Sequence, residues 1–199
     1  IPFLPPFRHL EAGPGGPRCP CCANPLGFDG DGGIRCAACL SARPAFDATL
    51  AAADYALPLD QLVLHLKFGG RLALAPWFAR MIADVVIADR QFVLPNVLCP
   101  VPLGPQRLAG RGFNQALEIA RPLSKMMGIP LRARLAIRTM ETRAQSGVAP
   151  DQRRDNIRNA VIVAPSPKGA STCARLIEFV HAQFDRIQAP RDLVQMLPA

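Results

Sequence analysis

The sequence predicts an α/β domain built on a parallel sheet with crossover helices, preceded by a small metal-stapled ribbon. Two observations carry this. Stretches with strand character alternate with stretches whose apolar residues recur at helical spacing, as parallel sheets with crossover helices require. Ahead of them, five of the seven cysteines fall within residues 19–39, where little else is apolar. A length of 199 residues suffices for one good core and a small satellite, not for two full domains. The divisions drawn are a Gly- and Pro-rich leader over 1–17, the ribbon over 18–45 and the α/β domain over 46–199, with 166–199 atypical.

Taken in order, residues 48–55 can form a strand. Residues 59–68 set Leu62, Val63 and Leu66 on one helical face, and Gly69 and Gly70 stop that helix. Residues 72–88 read as a second helix broken at Pro76, and 92–99 as a β-rich run ending at Pro100. Residues 114–127 read as a third helix, with Asn114 as N-cap, Gly128 past its end and a kink at Pro122. Residues 157–163 are a short strand candidate. Residues 171–184 place Leu176, Ile177, Val180 and Phe184 at helical spacing.

Cys19-Pro-Cys21-Cys22 and Cys36-Ala-Ala-Cys39 contain two C-x2-C pairs, with thirteen residues between them. Each pair can curl two thiolates toward one ion through a tight turn. Together Cys19, Cys22, Cys36 and Cys39 complete a tetrahedral sulfur shell suited to structural Zn²⁺. The ribbon is too small and polar to fold on apolar burial alone. Metal binding, on the order of 10 kcal/mol in comparable small sites, would supply its folding free energy. A redox pair or a chance grouping is the alternative. Cys21 is the spare thiol; Cys99 and Cys173 read as inert or buried.

Composition narrows the rest. Formal charge is +8, and twenty of the twenty-three basic residues are Arg, which grips phosphates and carboxylates bidentately. Codon bias in a GC-rich genome would give the same excess. The most apolar stretch, 81–103, is interrupted by Asp84, Asp89, Arg90, Pro95, Pro100 and Pro102, which excludes a membrane span. The first seven residues resemble no signal peptide, and seven cysteines without one point to a reducing compartment, read as the cytoplasm. His65, on a Leu-rich helix, reads as a surface or core histidine and not as a base.

The most distinctive run is Pro100-Val-Pro-Leu103, then Arg107, then Arg111-Gly-Phe-Asn-Gln115. A strand reaches a rigid turn, two Arg follow four apart, and a helix opens at Asn114. That grouping suits an anion; two Arg pairing with surface carboxylates is the plainer reading.

With Leu64-His-Leu-Lys-Phe-Gly-Gly70, Arg138-Thr139, Thr142-Arg-Ala-Gln145 and Arg153-Arg-Asp-Asn-Ile-Arg158, these runs and the cysteine pairs resemble the ComF family of competence-associated proteins. They stand in family order from residue 19 to about 160. The resemblance implies a type I phosphoribosyltransferase fold, a ligand such as phosphoribosyl pyrophosphate with Mg²⁺, and a role in handling transforming DNA. It also implies that Lys67, Arg107, Arg111, Asn114 and Gln115 lie near the pyrophosphate or base side, with Thr142 and Gln145 close to the site.

One family feature is missing. Phosphoribosyltransferases carry an apolar strand ending in two adjacent acids that hold ribose hydroxyls, followed by a turn that cradles the 5′-phosphate. After Ala160 this chain has only Glu178, Asp185 and Asp192, and Ala164-Pro-Ser-Pro167 stands where the strand belongs. Gly169, Ala170, Ser171 and Thr172, which lead into a helical pattern, look like the distal half of that phosphate turn; an ordinary N-cap is the alternative. Transferase turnover is therefore in doubt, and catalytic residues are unknown. The competing function is a zinc-ribbon adaptor or nucleic-acid module, supported by seven Arg within 132–158. Its partners would be single-stranded DNA or competence-machinery proteins such as a helicase.

Overall fold

The computed structural model describes residues 17–26, 35–42, 46, 48–90, 92–143, 147–149 and 152–164. The expected helix over 171–184, the Gly169–Thr172 turn, Gln145, Cys173 and most of the leader lie outside the described residues. Six α-helices are described: α1 (Ala37–Ser41), α2 (Leu59–Lys67), α3 (Ala75–Ala88), α4 (Pro105–Arg111), α5 (Gln115–Met127) and α6 (Arg153–Ile157). Two strands, β1 (Ala136–Arg138) and β2 (Val161–Val163), pair antiparallel, with Ile137 opposite Ile162.

The helical core forms because α2 and α3 each turn one apolar face inward. Leu59, Val63 and Leu66 of α2 meet Ala75 and Phe78 of α3, with Ile119 of α5 packed against them. Leu66 is 2% exposed and anchors the cluster. One turn further along, α3 meets α5 through Ala79, Ala83 and Leu123. Small alanines at that seam let the two helices approach closely. A separate small core joins Ala136, Val161 and Ile157, with Cys99 packed against it.

Several expectations hold, and others are corrected. α5 starts and stops as its caps dictate: the Asn114 side-chain oxygen accepts from the N–H groups of Ala116 and Leu117. Gly128 sits at φ 67°, a left-handed stop. Pro122 lies inside the helix without ending it. Pro76 does not break the second helix. It falls in the first turn of α3, where its missing N–H is no loss, and a 3₁₀ turn over Leu72–Leu74 precedes it.

Residues 48–55 form no strand. Instead, Ala53 and Tyr55 pack sideways onto the α2–α3 core. Residues 92–99 form only one bridge, at Leu98, and within 157–163 strand character begins at Val161 because Ile157 closes α6.

The expected parallel sheet is not seen as such among the described residues. Among the described residues the sheet has two strands and is antiparallel. Parallel pairing survives only as the bridge between Leu98 and Leu131, where Leu98 N–H donates to Pro130 O and Leu98 O accepts from Arg132 N–H. The arrangement is mixed α/β, with helices more extensive than strands.

Asn114 does more than cap. Its side-chain nitrogen donates to Val101 O at 3.0 Å, stitching the start of α5 to the Pro-rich turn. Replacing Asn114 with Ala should lower unfolding free energy by about 1–2 kcal/mol, measured by urea denaturation. An unchanged denaturation midpoint would show the cap to be redundant.

Candidate metal centre and anion site

The first knuckle is a tight turn closed by the backbone. Cys19 N–H donates to Asn24 O, Ala23 N–H to Cys19 O and Leu26 N–H to Pro17 O. Ala23 takes φ 58°, a left-handed conformation that costs a non-glycine residue roughly 1 kcal/mol. Arg18 holds that turn by donating to Ala23 O at 2.7 Å and by an ion pair with Asp54. The second knuckle is the start of α1, with Cys36 as its extended N-cap and Cys39 in its first turn.

These two turns bring Cys19, Cys22, Cys36 and Cys39 together, with all four sulfurs within 4.8 Å of one another. Cys22 and Cys36 sulfurs are 3.5 Å apart, and those of Cys19 and Cys39 are 3.7 Å apart. Disulfides are excluded at such distances. A tetrahedral zinc site with 2.3 Å Zn–S bonds places its sulfurs about 3.8 Å apart, so the donor set fits Zn²⁺.

Burial and backbone N–H groups set how readily each thiol ionises. Burial works to raise Cys19, but N–H groups of Cys22, Cys36 and Cys21 outweigh it and bring its pKa down to about 6. Burial raises Cys22 to about 11. Cys39 is raised further, by burial and then by the neighbouring thiols. Without a metal, one thiolate forms readily and the next are opposed.

Cys21 is not a ligand. It is buried at 3% exposure, its sulfur 4.0 Å from Phe46 O, and it packs with Phe46 beneath the knuckle. Sequence spacing left it spare; its role is to seat the metal turn on the segment that follows.

The second site is built from α2, α4 and the loop after β1. Lys67 ends α2 and is 4% exposed. Burial, then the nearby Arg111, lower its pKa from 10.5 to about 8. Arg111 ends α4, lies 5.3 Å above the Phe68 ring and donates to the Gln115 side-chain oxygen at 2.6 Å. Gly112, at φ 80°, closes α4 in the left-handed region, a turn that suits glycine.

Arg107 donates to Thr142 O at 2.5 Å, while Arg138 donates to the Thr142 hydroxyl. One threonine thus holds two guanidiniums. Arg143 is pinned in turn, its N–H and C=O both bonded at 3.0 Å to the Asn156 carboxamide of α6. Burial and then repulsion from Arg107 lower both Arg111 and Arg138, while Glu141 offsets part of this at Arg138.

The sequence-named residues therefore divide by role. Lys67, Arg107 and Arg111 form one chain of mutually repelling cations. Gln115 orients Arg111, and Thr142 orients Arg107 and Arg138. Asn114 has both ends of its carboxamide committed to scaffold bonds. His65 is exposed on the outer face of α2. Arg138 and Glu141 received no site role from sequence; the Arg138-Thr139 run was the available signal.

The chain is similar in sequence to curated proteins. The chain is 31% identical over 145 residues to DNA utilization protein YhgH of Salmonella typhi, covering 71% of this chain and 63% of that protein. It is 30% identical over 153 residues to Competence protein F of Haemophilus influenzae, covering 75% of this chain and 66% of that protein. It therefore spans less than two thirds of these relatives' own length. A separate likeness is 66% identity over 41 residues to sulfoacetaldehyde dehydrogenase (acylating) of Cupriavidus necator, covering 21% of this chain and 8% of that enzyme. No family model and no solved structure matches.

Purified protein should carry one zinc ion per chain by elemental analysis. Chelation, or replacement of Cys39 with Ser, should remove it and lower the melting temperature. Zinc-free protein that melts unchanged would refute a structural metal.

Proposed function

We propose that the chain, which resembles the ComF family and is similar to DNA utilization protein YhgH and Competence protein F, binds a phosphate-bearing ligand in the handling of DNA taken up during competence. The observation that carries this is the convergence of Lys67, Arg107, Arg111 and Arg138 from three separate elements. A buried cation whose pKa is lowered further by a neighbouring cation is relieved by a polyanion. Guanidiniums held by Thr142 and Gln115 present fixed forks suited to phosphate oxygens.

A pyrophosphate group, as in phosphoribosyl pyrophosphate, is the ligand chemistry this favours. Any Mg²⁺ would arrive on the diphosphate, since Mg²⁺ is usually held by one or two carboxylates plus ligand phosphates. The phosphoribosyltransferase-like sheet remains part of this reading, as does a reducing compartment that keeps four thiols available for zinc. No described helix is long and apolar enough to cross a membrane. Binding without transferase turnover fits the missing acid pair, because ribose hydroxyls would lose charged acceptors, each contributing about 1.5–3 kcal/mol.

A second reading has its own support. Arg132, Arg134, Arg143 and Arg158 are exposed, and a nucleic-acid backbone is a polyanion that such a surface can follow. Single-stranded DNA and proteins of the uptake machinery would be the partners.

The family motifs named above end at Arg158, and the atypical tail over 166–199 carries none of them. Deleting 166–199 should leave zinc content and pyrophosphate affinity unchanged. Loss of affinity would instead support Gly169, Ala170, Ser171 and Thr172 as a phosphate turn.

Calorimetric titration should register pyrophosphate binding at pH 7, weakened about tenfold or more by Arg107→Gln or Arg111→Gln. Lys67, lowered to about 8, is charged below that pH and neutral above it. Affinity should therefore fall as pH climbs from 7 to 9, and Lys67→Met should remove that step. Silence at millimolar pyrophosphate would sink the reading. Single-stranded DNA binding that weakens steeply with salt, and that survives Arg107→Gln, would favour the second.

A further inference from the structure

We propose that Glu141 is an internal occupant of the anion site, a carboxylate that an incoming phosphate must displace. This rests on reading Lys67, Arg107, Arg111 and Arg138 as that site. Glu141 belongs to the loop after β1, between Arg138 and the Thr142 that holds both Arg107 and Arg138. Its Oε1 accepts from the Gln106 N–H at 2.7 Å, one residue from Arg107. Its negative charge also offsets part of the depression at Arg138.

Gly104 makes the approach possible. A Cβ at that position would lie 2.4 Å from Glu141 Oε2, 2.6 Å from Oε1 and 2.7 Å from the carboxyl carbon. The carboxylate therefore rests directly on the Gly104 backbone. Gly104 has φ −65° and ψ 152°, an extended conformation open to any residue. Backbone strain does not call for glycine here; space for Glu141 does.

The hold on Glu141 is loose enough to be broken. The side chain is exposed, and its hydrogen bond with the Gln106 N–H is open to competition from water. A ligand phosphate carries more charge and can engage several guanidiniums at once, so it can take the place of the carboxylate. Until it does, Glu141 lowers the net positive charge at the rim and raises the ligand concentration needed.

The test is pyrophosphate titration of the full chain with two variants that act differently. Glu141→Gln removes the charge and keeps the shape. Gly104→Ala keeps every charge and pushes the carboxylate off its seat. Both should tighten binding about two- to fivefold, the span expected of an exposed pair. Equal affinity in wild type and both variants overturns the proposal. A gain with Glu141→Gln alone also overturns it, since that outcome reflects charge in the vicinity without occupancy. If one variant fails to melt cooperatively, the other decides. Failure of the anion-site reading is separately visible: wild type, both variants and Arg107→Gln would all give no heat.

Discussion

Ionisable groups held so close together that they resist being charged side by side are the constraint on which both ends of this chain depend. At one end, four sulfurs lie within 4.8 Å of one another. Ionising the first is helped by backbone N–H groups, and ionising the rest is opposed by burial and by the thiols already there. At the other end, after burial, Arg111 depresses Lys67, and Arg107 depresses Arg111 and Arg138. The first cluster offers a donor set that a dication bound through sulfur would relieve. The second, on the function proposed above, would be relieved by a polyanion. The chemistry differs because thiolates bond to a soft metal, whereas guanidiniums can only donate hydrogen bonds.

Neither cluster could persist without devices that are not themselves ligands. Cys21 and Phe46 form a small apolar seat beneath the metal turn, and Arg18 joins that turn to Asp54 in the segment leading to α2. At the cationic site, Asn114 links α5 to the Val101 turn, Thr142 takes one hydrogen bond from each of two Arg side chains, and Asn156 grips the Arg143 backbone. The two Thr142 contacts are to backbone and hydroxyl oxygen, which accept from a guanidinium without neutralising it. An acidic partner at the same positions would hold the Arg side chains equally well, but it would cancel the field that attracts a phosphate. The positions of Thr142 and Gln115 are thus consistent with orientation at undiminished charge.

What could be read from sequence follows the range of the interaction concerned. Cys19, Cys22, Cys36 and Cys39 were legible because a metal knuckle is local: two residues between thiolates set the geometry. Asn114 and Gly128 were legible for the same reason, each acting within one helical turn. Residues 48–55 were misread as a strand because alternating small apolar residues serve equally well as a cover over α2 and α3. Pro76 was misread because a proline in the first helical turn and a proline that breaks a helix look identical without knowing where the helix begins. Sheet direction was beyond reach, since β1 and β2 pair across more than twenty intervening residues. Arg138 joins Arg107 only through Thr142, and Glu141 reaches Gly104 and Gln106 across the chain, contacts that no spacing rule encodes.

The missing acid pair bears on what a site of this kind can distinguish. Charge-assisted hydrogen bonds from guanidiniums recognise phosphate oxygens whatever the phosphate is attached to. Discrimination for a ribose needs acceptors placed at its hydroxyls, and the carboxylates among the described residues of 136–164 are Glu141, seated on Gly104, and Asp155, exposed beside Arg158. A cationic groove without a sugar clamp would take pyrophosphate, a nucleotide or the backbone of single-stranded DNA by the same contacts. The two functional readings are therefore closer than their names suggest. What separates them is whether the anion sits compactly among Lys67, Arg107, Arg111 and Arg138, or extends outward over the exposed Arg132, Arg134, Arg143 and Arg158. Burial of Lys67 favours the compact case, because an ammonium withdrawn from water gains most from a phosphate that reaches it and little from a flexible chain passing over the surface.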